Sequence, residues 1–309
     1  MARMVPSAHS GYADGGYAQS LSEWGAPRPL PRSGGSILVR AIHDSALVDG
    51  MGPYPLFACR NWDRLGADVD ELSGELVTLT LVTDPFATAS PERLAQWFPD
   101  RCVPFKEHHV VDLSGPTLQS ATRHHRRDAA RALRRAEVEL VAEPRTLLDE
   151  WTALYASLIE RHGVQGPARF SRDSFARQLE LPDLVAFRAA AGETLLGAAL
   201  WIVSDRVAYY HLAATSEEGH RLGVSYGLVA TALEHFAACG WDWASLGAGA
   251  GLADIDDGLT RFKRGWASGT RTAYLCGRVL DRDAYTALSD RRTDAGEYFP
   301  AYRGVETRR

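Results

Sequence analysis

The residues best suited to chemistry lie in the segment 241–266, which has the sequence WDWASLGAGAGLADIDDGLTRFKRGW. Its first half alternates aromatic and polar residues and then becomes glycine-rich, as a buried strand does where it ends at a functional loop. Its second half combines two aromatic rings, two cations and three carboxylates: Phe262, Trp266, Lys263, Arg264, Asp254, Asp256 and Asp257. Such a group would bind an anionic or acyl-bearing ligand. The alternative is a surface turn with a solvated charge cluster.

A second group of charged side chains lies on a predicted helix, LQSATRHHRRDAARALRRA, which begins at Leu118. At about 100° per residue, apolar side chains fall on one side of this helix. The opposite side carries Arg123, Arg127, Arg131, Arg134 and Arg135. This arginine stripe would bind phosphates, and a solubilising surface that Asp128 partly neutralises is the equally weighted alternative. His125 falls on the apolar side, where a packed core histidine is expected.

The elements that must position the segment 241–266 are predicted to be strands and one long helix. Three strands come first, DLVAFRAAAG, TLLGAALWIVS and RVAYYHLAAT, and the last two form a hairpin across Ser204 and Asp205. In the third strand Tyr209 and His211 share one face, and Tyr210 lies on the other. A glycine-containing turn, EEGHRLG, leads into a helix that ends at Gly240. The strand TRTAYLCGRVL closes this part of the chain.

The chain before the arginine helix is predicted to form a smaller α/β or α+β domain. Its strands are SILVRAIH, YPLFACR, GELVTLTLVTDPF and FKEHHVVDL, and Ser90 begins the helix SPERLAQWF. Residues 1–34 mix Gly, Pro and Ser without periodicity, which predicts a disordered tail. The predicted divisions are therefore a tail (1–34), an N-terminal domain (35–115), a basic linking helix (116–137) and a C-terminal domain (138–309).

Composition narrows the function classes. The 309 residues are 45% apolar and carry a formal net charge of -5, so no global field favours nucleic acid or membrane. The four cysteines have no CxxC spacing, which predicts a reduced, cytoplasmic protein without a zinc site. No apolar run approaches the roughly 18 residues of a membrane span, and no metal or DNA site is expected.

The order of elements and the motifs together resemble the Fem-like branch of the GCN5-related N-acetyltransferase (GNAT) superfamily, over about residues 36–303. Fem-like proteins carry a glycine-rich strand end followed by a Gly-Leu-x-x-Phe-Lys segment, here Gly258, Leu259, Phe262 and Lys263. They also join two tandem GNAT-like domains by a basic helix ending in Arg-x-Ala-Glu, which residues 134–137 (RRAE) resemble. The resemblance implies an α/β (α+β) fold with two such domains, each a mixed sheet flanked by helices.

The resemblance also implies where the acyl donor binds. In this fold two parallel strands splay apart and hold the donor, and here they would be RVAYYHLAAT and WDWASLG. The pyrophosphate of an acyl-CoA would lie in a loop ending at a helix start, where this chain has His220, Arg221, Gly223 and Ser225. His220 and Ser225 depart from the family pattern. Together with Arg123, Arg127 and Arg131, this favours aminoacyl-tRNA over acyl-CoA as donor, with no tightly bound cofactor.

Residue roles follow from aminolysis, in which the attacked carbonyl becomes an oxyanion and the amine loses a proton. Lys263 is expected to stabilise charge, with a structural salt bridge as the alternative. Asp257 or His211 is a candidate base, although His211 is as well explained by packing. Tyr210 and Tyr209 would orient the acceptor or pack in the core. The remaining candidate substrate contacts are Phe262, Arg264, Trp266, Gly247 and Tyr226.

The resulting hypothesis is an enzyme that forms an amide bond by transferring an aminoacyl group from aminoacyl-tRNA to an amine. The acceptor would be a cell-wall precursor, a peptide or a natural-product amine. An acyl-CoA-dependent N-acetyltransferase is the first alternative. A non-catalytic RNA-binding or scaffold protein of the same fold is the second, and its RNA affinity would survive loss of Lys263.

Overall fold

The computed structural model describes residues 9–116, 118–249, 257–289 and 298–304. This part of the chain divides into two compact units. Unit 1 contains the chain up to Gly11, Lys106–Gln165 and Ser171–Arg271, and unit 2 contains Tyr12–Phe105, Gly166–Phe170 and the chain from Thr272 on. Both units combine helices with strands in parallel and antiparallel pairs. The predicted α/β fold with helix-flanked mixed sheets is confirmed.

The α-helices of the described chain are α1 (Gly15–Ser20), α2 (Leu65–Glu71), α3 (Pro91–Trp97), α4 (Arg123–Leu133), α5 (Leu148–His162), α6 (Arg172–Leu179), α7 (Glu217–Leu222), α8 (Val224–Cys239), α9 (Gly258–Arg264) and α10 (Arg282–Ser289). Its strands are β1 (Ala26–Leu30), β2 (Gly35–Ala41), β3 (Val48–Met51), β4 (Thr78–Val82), β5 (Arg101–Asp112), β6 (Glu137–Leu140), β7 (Leu184–Ala191), β8 (Thr194–Ser204), β9 (Val207–Thr215), β10 (Trp243–Gly247) and β11 (Gly269–Val279).

In unit 1 the strands lie in the order β5, β10, β9, β8, β7, β6. Strands β9 and β10 are parallel, and the other neighbouring pairs are antiparallel. The β8–β9 hairpin turns at Asp205, as predicted, and the φ of Asp205 is 41°. Parallel neighbours need a crossover connection, and the chain between β9 and β10 supplies it as α7 and α8.

Helix α8 covers one face of the unit 1 sheet. Its apolar side chains Leu228, Leu233 and Phe236 are buried in one cluster with Trp201 of β8. Helix α4 packs on α8 at Gly227, where an added Cβ would lie 3.5 Å from the Cβ of Ala132. Helix α4, which was predicted to link two domains, therefore packs in unit 1. Its alanine face covers α8.

In unit 2 the strands lie in the order β1, β2, β3, β4, β11. Strands β3 and β4 are parallel, and the other pairs are antiparallel. Helix α3 begins as predicted, with the Ser90 hydroxyl accepting a hydrogen bond from the backbone N–H of Arg93. The segment 54–60, predicted as a strand, instead forms an isolated bridge between Phe57 and Thr83. Pro55 within it has no N–H to offer a ladder.

The predicted disordered tail differs most from the structure, although residues 1–8 lie outside the described part. Helix α1 and strand β1 both precede residue 35, and β1 pairs with β2. Tyr17, Leu21 and Leu30 from this segment are almost fully buried in unit 2. So few apolar residues among Gly, Pro and Ser give a weak sequence signal, yet each of these side chains is removed from water.

Replacing Tyr17 by alanine should therefore lower the free energy of unfolding of unit 2 by about 3–5 kcal/mol, the range for burying an aromatic ring. Tyr17→Phe is the matched control. It keeps the ring and removes the hydroxyl, which donates a hydrogen bond to the carbonyl of Tyr54, a loss of about 1 kcal/mol. Denaturant unfolding of the full chain measures both variants. Equal stability of Tyr17→Ala and the unchanged protein would mean that this segment adds little to the fold.

Candidate active site

The parallel pair β9–β10 separates near the middle of β9. The pairing runs from Val207 opposite Trp243 to Tyr209 opposite Ser245. Beyond that point Gly247 is paired with His109 of β5, after a register shift, and its φ is 76°. The end of β10 thus follows β5, and β9 continues past its last pair with β10. This is the splayed geometry that the resemblance implied, and it leaves backbone groups available to a ligand.

Lys263 lies at this strand end. Its side chain reaches from α9, is 8% exposed, and donates a hydrogen bond from Nζ to the carbonyl oxygen of Ala248 at 2.6 Å. A Cβ at Gly247 would lie 3.2 Å from Nζ, so the glycine permits both the backbone turn and the approach of the amine. Burial lowers the pKa of Lys263 to about 8, and Asp257 opposes this effect. The amine is therefore still largely protonated at neutral pH.

Asp257 was predicted as a candidate base, and in the structure it caps a helix. It is the N-cap of α9, and its carboxylate accepts a hydrogen bond from the backbone N–H of Thr260 at 2.7 Å. That hydrogen bond lowers the pKa of Asp257 below its ordinary value. A carboxylate with a lowered pKa is a weak base, so the capping role explains Asp257 better.

The sheet face at the splay carries a row of polar side chains. Because Ser245 is paired with Tyr209 and with Val110, strand alternation places Tyr209, His211, Ser245 and His108 on one face. Ser245 Oγ lies 3.5 Å from His108 Nδ1, and both side chains are buried. Burial, followed by the charge of Lys263, lowers the pKa of His108 to about 3. His108 is thus a neutral hydrogen-bonding group close to the Lys263 charge.

Sequence reasoning missed His108 and Ser245. The two residues are 137 positions apart and share no motif. The histidine pair within the strand FKEHHVVDL could have marked His108 as a candidate site residue. His211, predicted as a possible base, has its Nε2 at 3.1 Å from Oε1 of Gln178 on α6. Burial lowers the pKa of His211 to about 3, which leaves it neutral and weakly basic. The geometry favours the packing alternative for His211.

The predicted aromatic contacts lie on the α8 side of the sheet. Trp266 is fully buried in the main cluster of unit 1, and Phe262 packs against that cluster. Tyr226 of α8 contacts both, with its ring centroid 5.0 Å from that of Phe262 and 6.3 Å from that of Trp266. Tyr210 packs against Trp201, and burial raises the pKa of its hydroxyl. Trp266 is therefore a core residue, whereas Phe262 and Tyr226 are half-buried.

The loop expected to hold a donor pyrophosphate contains more helix than was predicted. Ser216 caps α7, and Gly223, with φ of 73°, joins α7 to α8. Arg221 forms a bidentate ion pair with Glu218 in the same helix. His220 is exposed and Ser225 is half-buried in the first turn of α8. The predicted anion contact of Arg221 thus has a carboxylate partner within its own helix.

The arginine stripe lies on the solvent side of α4. Arg123, Arg127 and Arg131 are exposed, as are the two arginines that follow the helix. Asp128 is buried, and Arg127 and Arg131 contact its carboxylate at 3.2 and 3.3 Å. Six arginines against one aspartate give residues 123–135 a formal charge of +5. The predicted basic surface is present and retains a net positive charge.

The other predicted site residues have simpler outcomes. Arg264 is exposed at the last turn of α9. Asp254 and Asp256 lie outside the described residues. Within the described ranges no cluster of three or more His, Cys, Asp or Glu side chains could hold a metal ion. The helices described above include none that combines the length and apolar character needed to cross a membrane.

Residues 120–264 match the sequence model of a family described as an acetyltransferase (GNAT) domain. The match contains α4, the hairpin β8–β9, the splayed pair, α8 and α9. This part of the chain is similar to GNAT acetyltransferase domains, which supports an acyltransferase activity. No curated protein sequence matches the chain.

Solved structures share this fold at low sequence identity. FemX superposes with a TM-score of 0.65 at 13% identity, over 88% of this chain and 92% of FemX. The C-terminal domain of a protein from Agrobacterium fabrum, named as a lysylphosphatidylglycerol synthetase, superposes with a TM-score of 0.62 at 16% identity. The superposition covers 91% of this chain and 92% of that domain. L-PGS from Bacillus licheniformis superposes with a TM-score of 0.60 at 14% identity, over 88% of this chain and 94% of L-PGS. The resemblance to the Fem-like branch is confirmed for the fold.

Proposed function

We propose that this protein transfers an aminoacyl group from aminoacyl-tRNA to an amine acceptor. The observation that carries the proposal is the pairing, within one GNAT domain, of an exposed arginine helix with a buried lysine at the strand splay. A tRNA brings many phosphates for the helix, and its ester-linked aminoacyl group needs a cation where charge develops. The folds of FemX and of the lysylphosphatidylglycerol synthetase domain support this choice, since that second name denotes a lysyl-bearing product.

The chemistry needs little beyond positioning and one charge. The acceptor nitrogen attacks the ester carbonyl, the C–N bond forms, and the C–O bond to the ribose breaks. The nitrogen loses a proton, which solvent carries away, and the ribose oxygen gains one. Lys263, protonated and held beside the splay, stabilises the oxyanion of the tetrahedral intermediate. No described side chain at the site is a strong base, which suits attack by an amine that is already neutral.

The charge distribution favours tRNA over an acyl-CoA. Helix α7, which leads into the turn that would receive a pyrophosphate, carries Glu217 and Glu218, and Arg221 is paired with Glu218. The α4 surface has the opposite balance. An acyl-CoA remains the second candidate donor, because the matching family is described as acetyltransferase and the N-terminus of α8 follows Gly223 without a side-chain cap.

The test removes arginines without disturbing the buried carboxylate. Arg127 and Arg131 contact Asp128, so their loss would leave that charge with fewer partners. Arg123, Arg134 and Arg135 are exposed and make no described contact with Asp128. We expect the triple glutamine variant at these positions to bind charged tRNA more weakly. The slope of log affinity against log salt should fall by about two to three units.

The matched control replaces three other exposed arginines of unit 1, Arg145, Arg172 and Arg206, by glutamine. It removes the same formal charge from a different surface. Filter binding of a charged tRNA pool at several salt concentrations compares the two triple variants. Equal losses in both would mean that general charge, and not the α4 surface, governs binding. An unchanged α4 variant would contradict the proposal.

A further inference from the structure

His125 is a buried histidine, 6% exposed, with both ring nitrogens engaged. Its Nε2 lies 2.9 Å from the carbonyl oxygen of Phe262, and its Nδ1 lies 2.8 Å from the hydroxyl of Thr122. A carbonyl oxygen can only accept, so Nε2 donates, and in the neutral ring Nδ1 then accepts from the hydroxyl. These bonds define one neutral tautomer of the ring, and burial lowers the pKa of His125, which favours the same state.

The backbone after α9 is shaped to receive this ring. A Cβ at Gly265 would lie 1.9 Å from Cε1 of His125, closer than any side chain permits. The ring also meets Trp266 edge-on at 5.1 Å between centroids, and Phe262 at 5.8 Å. Gly265 is thus the residue that lets the histidine lie directly against the turn that ends α9.

Two further hydrogen bonds join the same two segments. The backbone N–H of Thr122 donates to the carbonyl of Gly265 at 2.8 Å, and the Ser120 hydroxyl donates to the carbonyl of Trp266 at 2.8 Å. The start of α4 is therefore fixed to the end of α9 by three hydrogen bonds and two ring contacts. Helix α4 presents the arginines, and α9 presents Lys263.

We propose that His125 is a positioning residue that holds α9, and with it the Lys263 amine, at the β10 strand end. The role for catalysis rests on the function proposed above, while the placement of the amine does not. His125 touches neither the Lys263 amine nor the arginine surface in any described contact. It acts through the carbonyl of Phe262, the residue next to Lys263. A displacement of about 1 Å at such a group can cost a hundredfold in rate.

The sequence makes a direct measurement possible, because Lys106 and Lys263 are its only lysines. Protein grown with lysine that carries ¹³C at Cε gives two methylene signals, and Lys106→Arg assigns them. Titrating the Lys263 signal with pH measures its pKa without any assay of transfer. In the unchanged protein we expect a value near 8, because the amine is buried.

His125→Leu keeps much of the bulk and removes both hydrogen bonds. We expect the pKa of Lys263 to rise by about one unit or more toward its ordinary value as the amine gains water. The kcat of transfer should fall about tenfold, while tRNA binding through the arginines changes less than about threefold. His125→Gln, whose amide can donate to the Phe262 carbonyl in place of Nε2, should recover much of both properties.

Gly265→Ala keeps His125 and disturbs the contact between its ring and the turn after α9, because the added methyl group would overlap the ring. It should shift the Lys263 titration in the same direction. His235→Leu is the control, because His235 also packs on an aromatic ring but lies nine residues after Tyr226 on α8, about 14 Å along the helix. Its Lys263 titration and kcat should not change.

A folded His125→Leu protein with unchanged Lys263 titration and unchanged kcat would overturn the proposal. If that variant does not fold, an unchanged titration in Gly265→Ala overturns it equally. The titration also separates this inference from the proposed function. A shifted pKa in a protein that shows no tRNA-dependent transfer would support the positioning role and reject the donor.

Discussion

Replacing Lys263 by methionine should lower kcat for acyl transfer at least about tenfold, equivalent to about 1.4 kcal/mol of lost transition-state stabilisation. Methionine matches the length of the buried stem and removes the charge. Since burial already disfavours the Lys263 charge, the variant should be as stable as the unchanged protein or more so. Transfer of label from charged tRNA into alkali-stable product measures the rate, because mild alkali cleaves the ribosyl ester but not an amide.

The pH dependence gives a second readout of the same residue. As pH rises through about 8, Lys263 loses its proton, and the rate should fall. Lys263→Arg keeps the charge at all accessible pH values, so its residual rate should lack this falling limb. Full activity in a folded Lys263→Met protein would remove Lys263 from the mechanism. Unchanged tRNA binding by an inactive variant would separate catalysis from RNA binding.

Replacing Asp49 by alanine should destabilise unit 2 by about 3–5 kcal/mol. Asp49 is fully buried and accepts hydrogen bonds from Nε and Nη2 of Arg303 at 2.5 and 2.9 Å. Nε of Arg40 and the hydroxyl of Tyr302 also donate to it, each at 3.1 Å. Its loss would leave the buried Arg303 guanidinium without its carboxylate partner.

Denaturant unfolding of Asp49→Ala measures this effect. Arg28→Gln is the control from the same unit, because it breaks the exposed ion pair with Glu75. Exposed pairs are screened by water and salt, so the control should unfold at the same denaturant concentration as the unchanged protein. A similarly small effect of Asp49→Ala would show that the network around it is replaceable.

Elements with periodic apolar patterns could be predicted from the sequence. The β8–β9 hairpin, the end of α8 at Gly240 and the cap Ser90 are all where the sequence predicts them. The position of Lys263 after the glycine-rich strand end was also a usable signal. Local sequence determines these features because their hydrogen bonds join residues a few positions apart.

The remaining features depend on contacts between distant residues. Asp49 and Arg303 are 254 positions apart, and the predicted divisions placed them in different domains. His125 meets Phe262 across 137 positions. The helical periodicity placed His125 on the apolar side of its helix, but it could not identify Phe262 as the partner. Tertiary packing, and not local pattern, decides such roles.

The identity of the acyl donor is the central claim, and parallel labelling tests it most directly. The protein is incubated with a small-molecule cell extract as the source of acceptors, and with either a tRNA pool charged with ¹⁴C-amino acids or ¹⁴C-acetyl-CoA. We predict alkali-stable label from the charged tRNA, its loss when ribonuclease is added first, and little label from acetyl-CoA. Alkali-stable label from acetyl-CoA that persists with ribonuclease, and none from charged tRNA, would contradict the account.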